Sequence, residues 1–153
     1  MTVTDPVGDG FVQGLAHPGV NITGFLTSEA AISSKMLNLL VETVPGLKRV
    51  SMLFDPDTAP GGGRYYYRDF EANAPTANIE PIAAVARSVG EIESIIATAG
   101  KAQNSGIIVM PDYYMLQQSK QIAVLTAQHR VPTIYPWRFS VTRDGGLLSY
   151  GPT

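Results

Sequence analysis

The sequence predicts a doubly wound α/β domain, a mainly parallel sheet with helices on both faces. Three observations carry that expectation. From Thr27 onward, short apolar runs alternate with segments of helical periodicity. The apolar runs end in Asp, Pro or Gly. The intervening helices are long enough to return the chain to the same end of the sheet, which requires right-handed crossovers and buries both faces.

Residues 1–26, rich in Gly, Pro and polar side chains and without a helical stripe, read as a connector, and residues 27–153 as the α/β lobe. Glu29 to Val44 sets Ile32, Met36, Leu39, Leu40 and Val44 on one face, with Thr27 or Ser28 as cap and Pro45-Gly46 as stop. Arg49 to Phe54 (RVSMLF) is a buried strand ended by Asp55-Pro56. Pro60 opens the next helix, in which Tyr66, Phe70 and Ala74 recur every fourth residue until Pro75 ends it. Gly61, Gly62 and Gly63 give that helix a pliable entrance; Tyr66 belongs in the core, and Tyr65 and Tyr67 on flanking faces.

Ile79 to Val85 is the second strand. Ser88, with Glu91 three residues on, forms a capping box for a helix that turns Val89, Ile92, Ile96 and Ala99 inward. Gly106 to Asp112 (GIIVMPD) repeats the strand-into-turn pattern, and one helix follows to about Arg130 with Met115, Ile122 and Leu125 inward. Val131 to Tyr135 is the fourth strand, 136–143 an irregular or helical link, and Leu147 to Tyr150 the last strand, after Asp144-Gly145-Gly146.

Composition narrows the chemistry. The 153 residues suit one domain with a real core, being 44% apolar and 16% charged. A formal charge of -2 lacks the basic excess that holds nucleic acid, so no nucleic-acid partner is expected. With no cysteine, thiolate catalysis, disulfides and cysteine zinc sites are excluded. The start, MTVTDPVGDG, carries no signal-peptide pattern, and no run approaches the roughly 18 apolar residues of a membrane span.

The motifs that would announce an enzyme are missing. Gly61 to Gly63 lead into Arg64-Tyr65 instead of the Lys-Ser or Lys-Thr pair of a phosphate loop. No Gly-x-Ser-x-Gly turn exists. His17 and His129 are far apart and have no paired ligand spacing, so neither a metal nor a cofactor is expected. A phosphoacceptor role for Asp55 would need an acidic pair and a late lysine, and the later strand ends carry Pro111-Asp112 and Tyr135-Pro136 instead. Asn21-Ile22-Thr23 fits a glycosylation acceptor, a pattern common by chance.

Ligands of such sheets collect at the carboxyl ends of the strands. The candidates are therefore the residues just past each apolar run: Asp55 to Thr58, Ala86-Arg87, Pro111 to Tyr113, Tyr135 to Trp137, and Tyr150-Gly151. This rim of Asp, Thr, Tyr and Trp suits a small polar or zwitterionic ligand with an aromatic wall.

Taken together, VTDPVGDGFVQGLAHPGVNITGF, PGLKRVSMLFDPDTAP and GIIVMPDYYMLQQSKQIAVLTAQHRVPTIYPWRFSVTRDGGLLSYG resemble the substrate-binding proteins of a bacterial ABC importer family related to tryptophan and other aromatic amino-acid binders. The resemblance runs along essentially the whole chain. It implies one lobe, the second, of a two-lobed periplasmic or lipid-anchored protein about twice as long, whose lobes close on a small solute and present it to an ABC permease in the membrane. Residues 1–26 then become a connector and hinge-crossing segment, with Asn21 to Gly24 as the crossing strand. Asp5, Asp55, Thr58, Asp112, Tyr113, Tyr135, Trp137 and Tyr150 would lie near the cleft, and the solute would be an amino acid or aromatic acid. Two competing readings are a small α/β enzyme using Asp55 and Asp112 as acid and base, and a scaffold that homodimerises through its exposed cleft.

Overall fold

Five strands form one sheet in the order β2-β1-β3-β4-β5, every neighbouring pair parallel. They are β1 (Arg49–Phe54), β2 (Glu80–Val85), β3 (Ser105–Val109), β4 (Thr133–Tyr135) and β5 (Leu148–Ser149). The computed structural model describes residues 3–17, 19–21 and 28–152. Val50 lies opposite Pro81 on one side of β1 and Gly106 on the other, which fixes the register of the central strands. The first crossover carries the chain outward to β2, and the later ones build the opposite half from β3, so the strand order reverses between β1 and β3. At that reversal two neighbouring strand-end loops diverge and leave room for a ligand.

Alternation along the strands sorts the core into two layers. Val50, Met52 and Phe54 of β1, with Ile108 and Met110, meet α1 (Ile32–Thr43) and α2 (Arg64–Asn73) through Met36, Leu40, Tyr66 and Phe70. Leu53, Ile107 and Val109 meet α3 (Val89–Lys101), α4 (Tyr113–Gln117) and α5 (Ser119–Gln128) through Ile92, Ile96, Met115 and Ile122 on the opposite face. A short α6 (Arg138–Thr142) links β4 to β5.

Several local expectations change in detail. Thr27 and residues 22–24 of the expected crossing strand lie outside the described residues. Ser28 does not cap α1: the N-cap is Ala31, which offers no side-chain oxygen, and the Ser34 amide is instead taken by the Asp69 carboxylate of α2 at 3.0 Å. The tri-glycine stretch is a 3₁₀ turn, Pro60–Gly63, with Gly61, Gly62 and Gly63 all left-handed. The single helix expected after Asp112 is two, because Ser119 is drawn into a buried cluster with Ser140 (2.7 Å) and Asp144 (2.9 Å). Nothing in Gln117-Gln118-Ser119 announces that break.

Ser88 caps α3 by accepting the Glu91 amide at 3.2 Å, while the Glu91 carboxylate takes the Arg87 amide, one residue earlier than a standard capping box. Ser88→Ala should therefore cost about 1 kcal/mol. Thermal melts would read this as a fall of a few degrees, and an unchanged melting temperature would show that the cap carries no energy. Among the described residues no helix is long and apolar enough to cross a membrane.

Candidate functional site

Asp112 sits where β3 ends, at the reversal of strand order, and is nearly fully buried. Its extended backbone makes it the N-cap of α4: Oδ1 accepts the Met115 amide at 2.7 Å and the Thr58 hydroxyl at 3.2 Å. Oδ2 accepts the Asp55 amide at 3.0 Å, so one carboxylate ties the end of β1 to the end of β3. Thr58 completes the staple by accepting the Tyr114 amide at 3.2 Å. Each carboxylate oxygen offers two acceptor positions, so Oδ2 keeps one open. Burial pushes the Asp112 carboxyl up to about 6, against the pull of these three hydrogen bonds, and the neighbouring Asp55 adds to the rise.

Asp55 is also buried, and its Oδ1 accepts the Asp57 amide at 3.0 Å, closing an Asx turn. Asp57 in turn pairs with Arg87 at 3.0 Å on the open surface, where such a pair contributes little. Both strand-end aspartates thus shape their loops through backbone amides.

Aromatic side chains build the wall. Trp137 follows β4 and stacks on Phe139, with rings 5.9 Å apart and 9° from parallel. The guanidinium of Arg143 covers the Phe139 ring at 4.7 Å from its centroid. This layering holds the indole in place before any ligand arrives. Tyr113, at the start of α4, is 63% exposed.

These groups line a cavity of about 410 Å³. The strand ends supply Pro111, Asp112, Tyr113, Pro136 and Trp137, and α4 adds Leu116. Ser28, Ile32 of α1 and Tyr66 of α2 form the opposite wall, and Thr4 and Pro152 close the rim. Of the expected site residues, the cavity gathers Asp112, Tyr113 and Trp137. Asp55 and Thr58 stand behind Asp112 as its partners. Asp5 binds its own turn through the Gly8 amide at 2.8 Å. Tyr150, 41% exposed, and Asp5 are not among the lining residues.

Tyr135 departs furthest from its expected place. It is fully buried, its hydroxyl lies 3.1 Å from Thr126 of α5, and burial pushes its phenol up to about 12. The side chain packs into the α3–α5 layer, away from the cavity. Sequence reasoning missed Ser28, which precedes α1, and Ile32 and Leu116, which approach from helices rather than strand ends. Tyr66 was legible only as a core residue. Among the described residues no cluster of His, Cys, Asp and Glu could hold a metal ion.

A parallel sheet whose strand ends open on a small, aromatic-walled pocket with one buried acid is the arrangement in which α/β folds commonly hold small molecules. The chain belongs to the ABC transporter substrate binding protein family, whose model it matches over residues 1–153. No curated protein sequence matches it significantly. Among solved structures it is similar to a conserved domain protein from Vibrio cholerae, at 22% identity and a TM-score of 0.80, over 98% of this chain and 49% of that one. It is also similar to an ABC domain from Streptococcus pneumoniae in complex with L-Trp, at 22% identity and a TM-score of 0.79, over 97% of this chain and 49% of that one. At this identity the likeness establishes the fold. The chain spans about half the length of these structures.

Proposed function

We propose that this chain is the second lobe of a two-lobed solute receptor of an ABC import system, and that its strand-end cavity is one wall of the ligand cleft. The observation that carries the reading is the convergence of Trp137, Tyr113 and Asp112 on one small cavity. A flat or aromatic body would lie against the indole, and a ligand ammonium would take the open position on Asp112 Oδ2. The solute is an amino acid or a small aromatic acid. The S. pneumoniae relative, which carries L-Trp, supports that class. Binding that favours the closed pair of lobes would shift the receptor toward the state a membrane permease recognises. On this reading the protein works outside the cytoplasm, in the periplasm or on a lipid anchor. The engagement of Asp55 and Asp112 by backbone amides favours binding over acid–base catalysis.

The test is a titration of the chain, followed by amide chemical shifts, with the common amino acids and small aromatic acids up to tens of millimolar. A version extended to the length of the matched structures would be run beside it. At least one solute should perturb residues around Trp137, and Trp137→Ala should weaken it by roughly tenfold or more. Silence from both forms would remove the receptor reading, and equal binding by Trp137→Ala would remove this cavity from the site.

A further inference from the structure

Among the described residues, Ser28 is the one lining residue with a buried side-chain polar atom left without a partner. Ser28 lines the cavity, and its Oγ is buried with no hydrogen-bond partner among the described residues. A buried hydroxyl left in that state costs free energy, and native structures rarely tolerate one without a reason. Its neighbour is the Tyr66 phenol. Burial raises the phenol's pKa and the Ser28 hydroxyl opposes the rise, yet the Ser28 Oγ closes no hydrogen bond of normal geometry. Tyr66 is 1% exposed, its ring set in the core against Tyr65 edge to face at 4.9 Å, and it still lines the cavity.

We propose that Ser28 and Tyr66 form a hydrogen-bonding subsite on the α1–α2 wall, which reads an uncharged group able to donate and accept, such as a hydroxyl or carboxamide, on the body of the solute. This rests on the solute-receptor reading above and sets the specificity of that same site. Charge selects the class. The described lining holds no Lys, Arg or His, and its one carboxyl is Asp112. A carboxylate pressed against two hydroxyls there would meet no counter-charge and one like charge. A neutral group suits two hydroxyls that can each donate and accept. Such a site discriminates most strongly against an analogue that lacks the group, because the pocket's own polar atoms are then left unpaired.

The probes are L-phenylalanine and its ortho-, meta- and para-hydroxylated isomers, which walk one hydroxyl around a fixed ring. Each is titrated into the 153-residue chain. At least one isomer should bind roughly fivefold or more tighter than phenylalanine, the range of a single net hydrogen bond. Ser28→Ala and Tyr66→Phe should each collapse that ratio toward one. Equal affinity for all four probes, or a ratio that survives Ser28→Ala, overturns the subsite.

If none of the four binds, the receptor reading still rests on the wider titration above, and the subsite is decided on the free protein. An orphan hydroxyl removed by Ser28→Ala should leave the melting temperature unchanged or raise it by roughly 2–4 °C. A fall of that size would show that the hydroxyl already has a partner and would overturn the proposal.

Discussion

Gly63→Ala is expected to lower the melting temperature by roughly 5–15 °C. Two costs coincide at this position. Gly63 has φ of 92°, a left-handed conformation that charges an L-residue about 1–2 kcal/mol. A Cβ there would stand 2.3 Å from Phe54 Cε2 and 2.6 Å from Cδ2, and the Phe54 ring is itself buried in the α1–α2 layer with Tyr67 against it. Displacing such a ring typically costs about 1–3 kcal/mol more. The sum of about 2–5 kcal/mol converts at about 2–4 °C per kcal/mol in a chain of this size. Gly61 is the internal control, since it is also left-handed, with φ of 58°, but nothing lies within 4 Å of its Cβ position. Gly61→Ala should lose only the backbone part, about 1–2 kcal/mol. Equal melting temperatures for the two variants would refute the claim that Phe54 forbids a side chain at Gly63.

The three glycines also show what a sequence can convey. Their position after a strand and before Tyr66 and Phe70 made a helix entrance legible, because the spacing of the following apolar residues is a local property. The closeness of Phe54 to Gly63 is not local. It follows from β1 and α2 packing on one another, and no neighbour of Gly63 in the chain announces it. The sheet was legible for the same reason that α2 was. RVSMLF and GIIVM are apolar runs too short for helices and bounded by Pro and Asp, and both became central strands. The single helix expected from Tyr113 to Arg130 failed because its break is imposed by Ser140 and Asp144, more than twenty residues downstream.

The site divides along the same line. The rule that ligands gather at strand ends pointed to Asp112, Tyr113 and Trp137, which line the cavity, since those positions follow from where the apolar runs stop. The rule could not separate Trp137 from Tyr135. Tyr135 is the last residue of β4, and its side chain turns to the α5 layer, whereas Trp137 lies beyond the strand and is held by Phe139. Ser28 and Tyr66 needed the packing of α1 beside α2. A serine before a helix reads as a cap, and a tyrosine at helical spacing reads as core.

Asp112→Ala is expected to cost about 3 kcal/mol or more and to remove a pH dependence from the folded chain. The variant frees three donors at once: the amides of Asp55 and Met115 and the hydroxyl of Thr58. Loss of a helix cap costs about 1 kcal/mol and a buried amide left unpaired about 1–3 kcal/mol. The pH effect follows from burial. In the unfolded chain the carboxyl titrates near 3.8, and in the folded chain near 6. Between these values the native state holds a proton that the unfolded state has released. The stabilisation linked to this group is therefore fully present below the unfolded value and is lost as pH rises through 6. The full swing is on the order of 3 kcal/mol at most. Protonation leaves the staple intact, because the proton can occupy the open position on Oδ2 while the three donors keep theirs. The destabilisation caused by Asp112→Ala should then be larger at pH 5 than at pH 7.5, and Asp112→Asn should flatten the profile while keeping part of the staple. A ligand ammonium competes with that proton for the same oxygen, so affinity for an amine-bearing solute should rise from pH 5 to pH 7 and level off above. Urea melts at pH 5 and 7.5, with the solute titrated at both, measure all of this. A destabilisation independent of pH would mean that Asp112 is ionised throughout, and it would remove the linkage between proton and ligand.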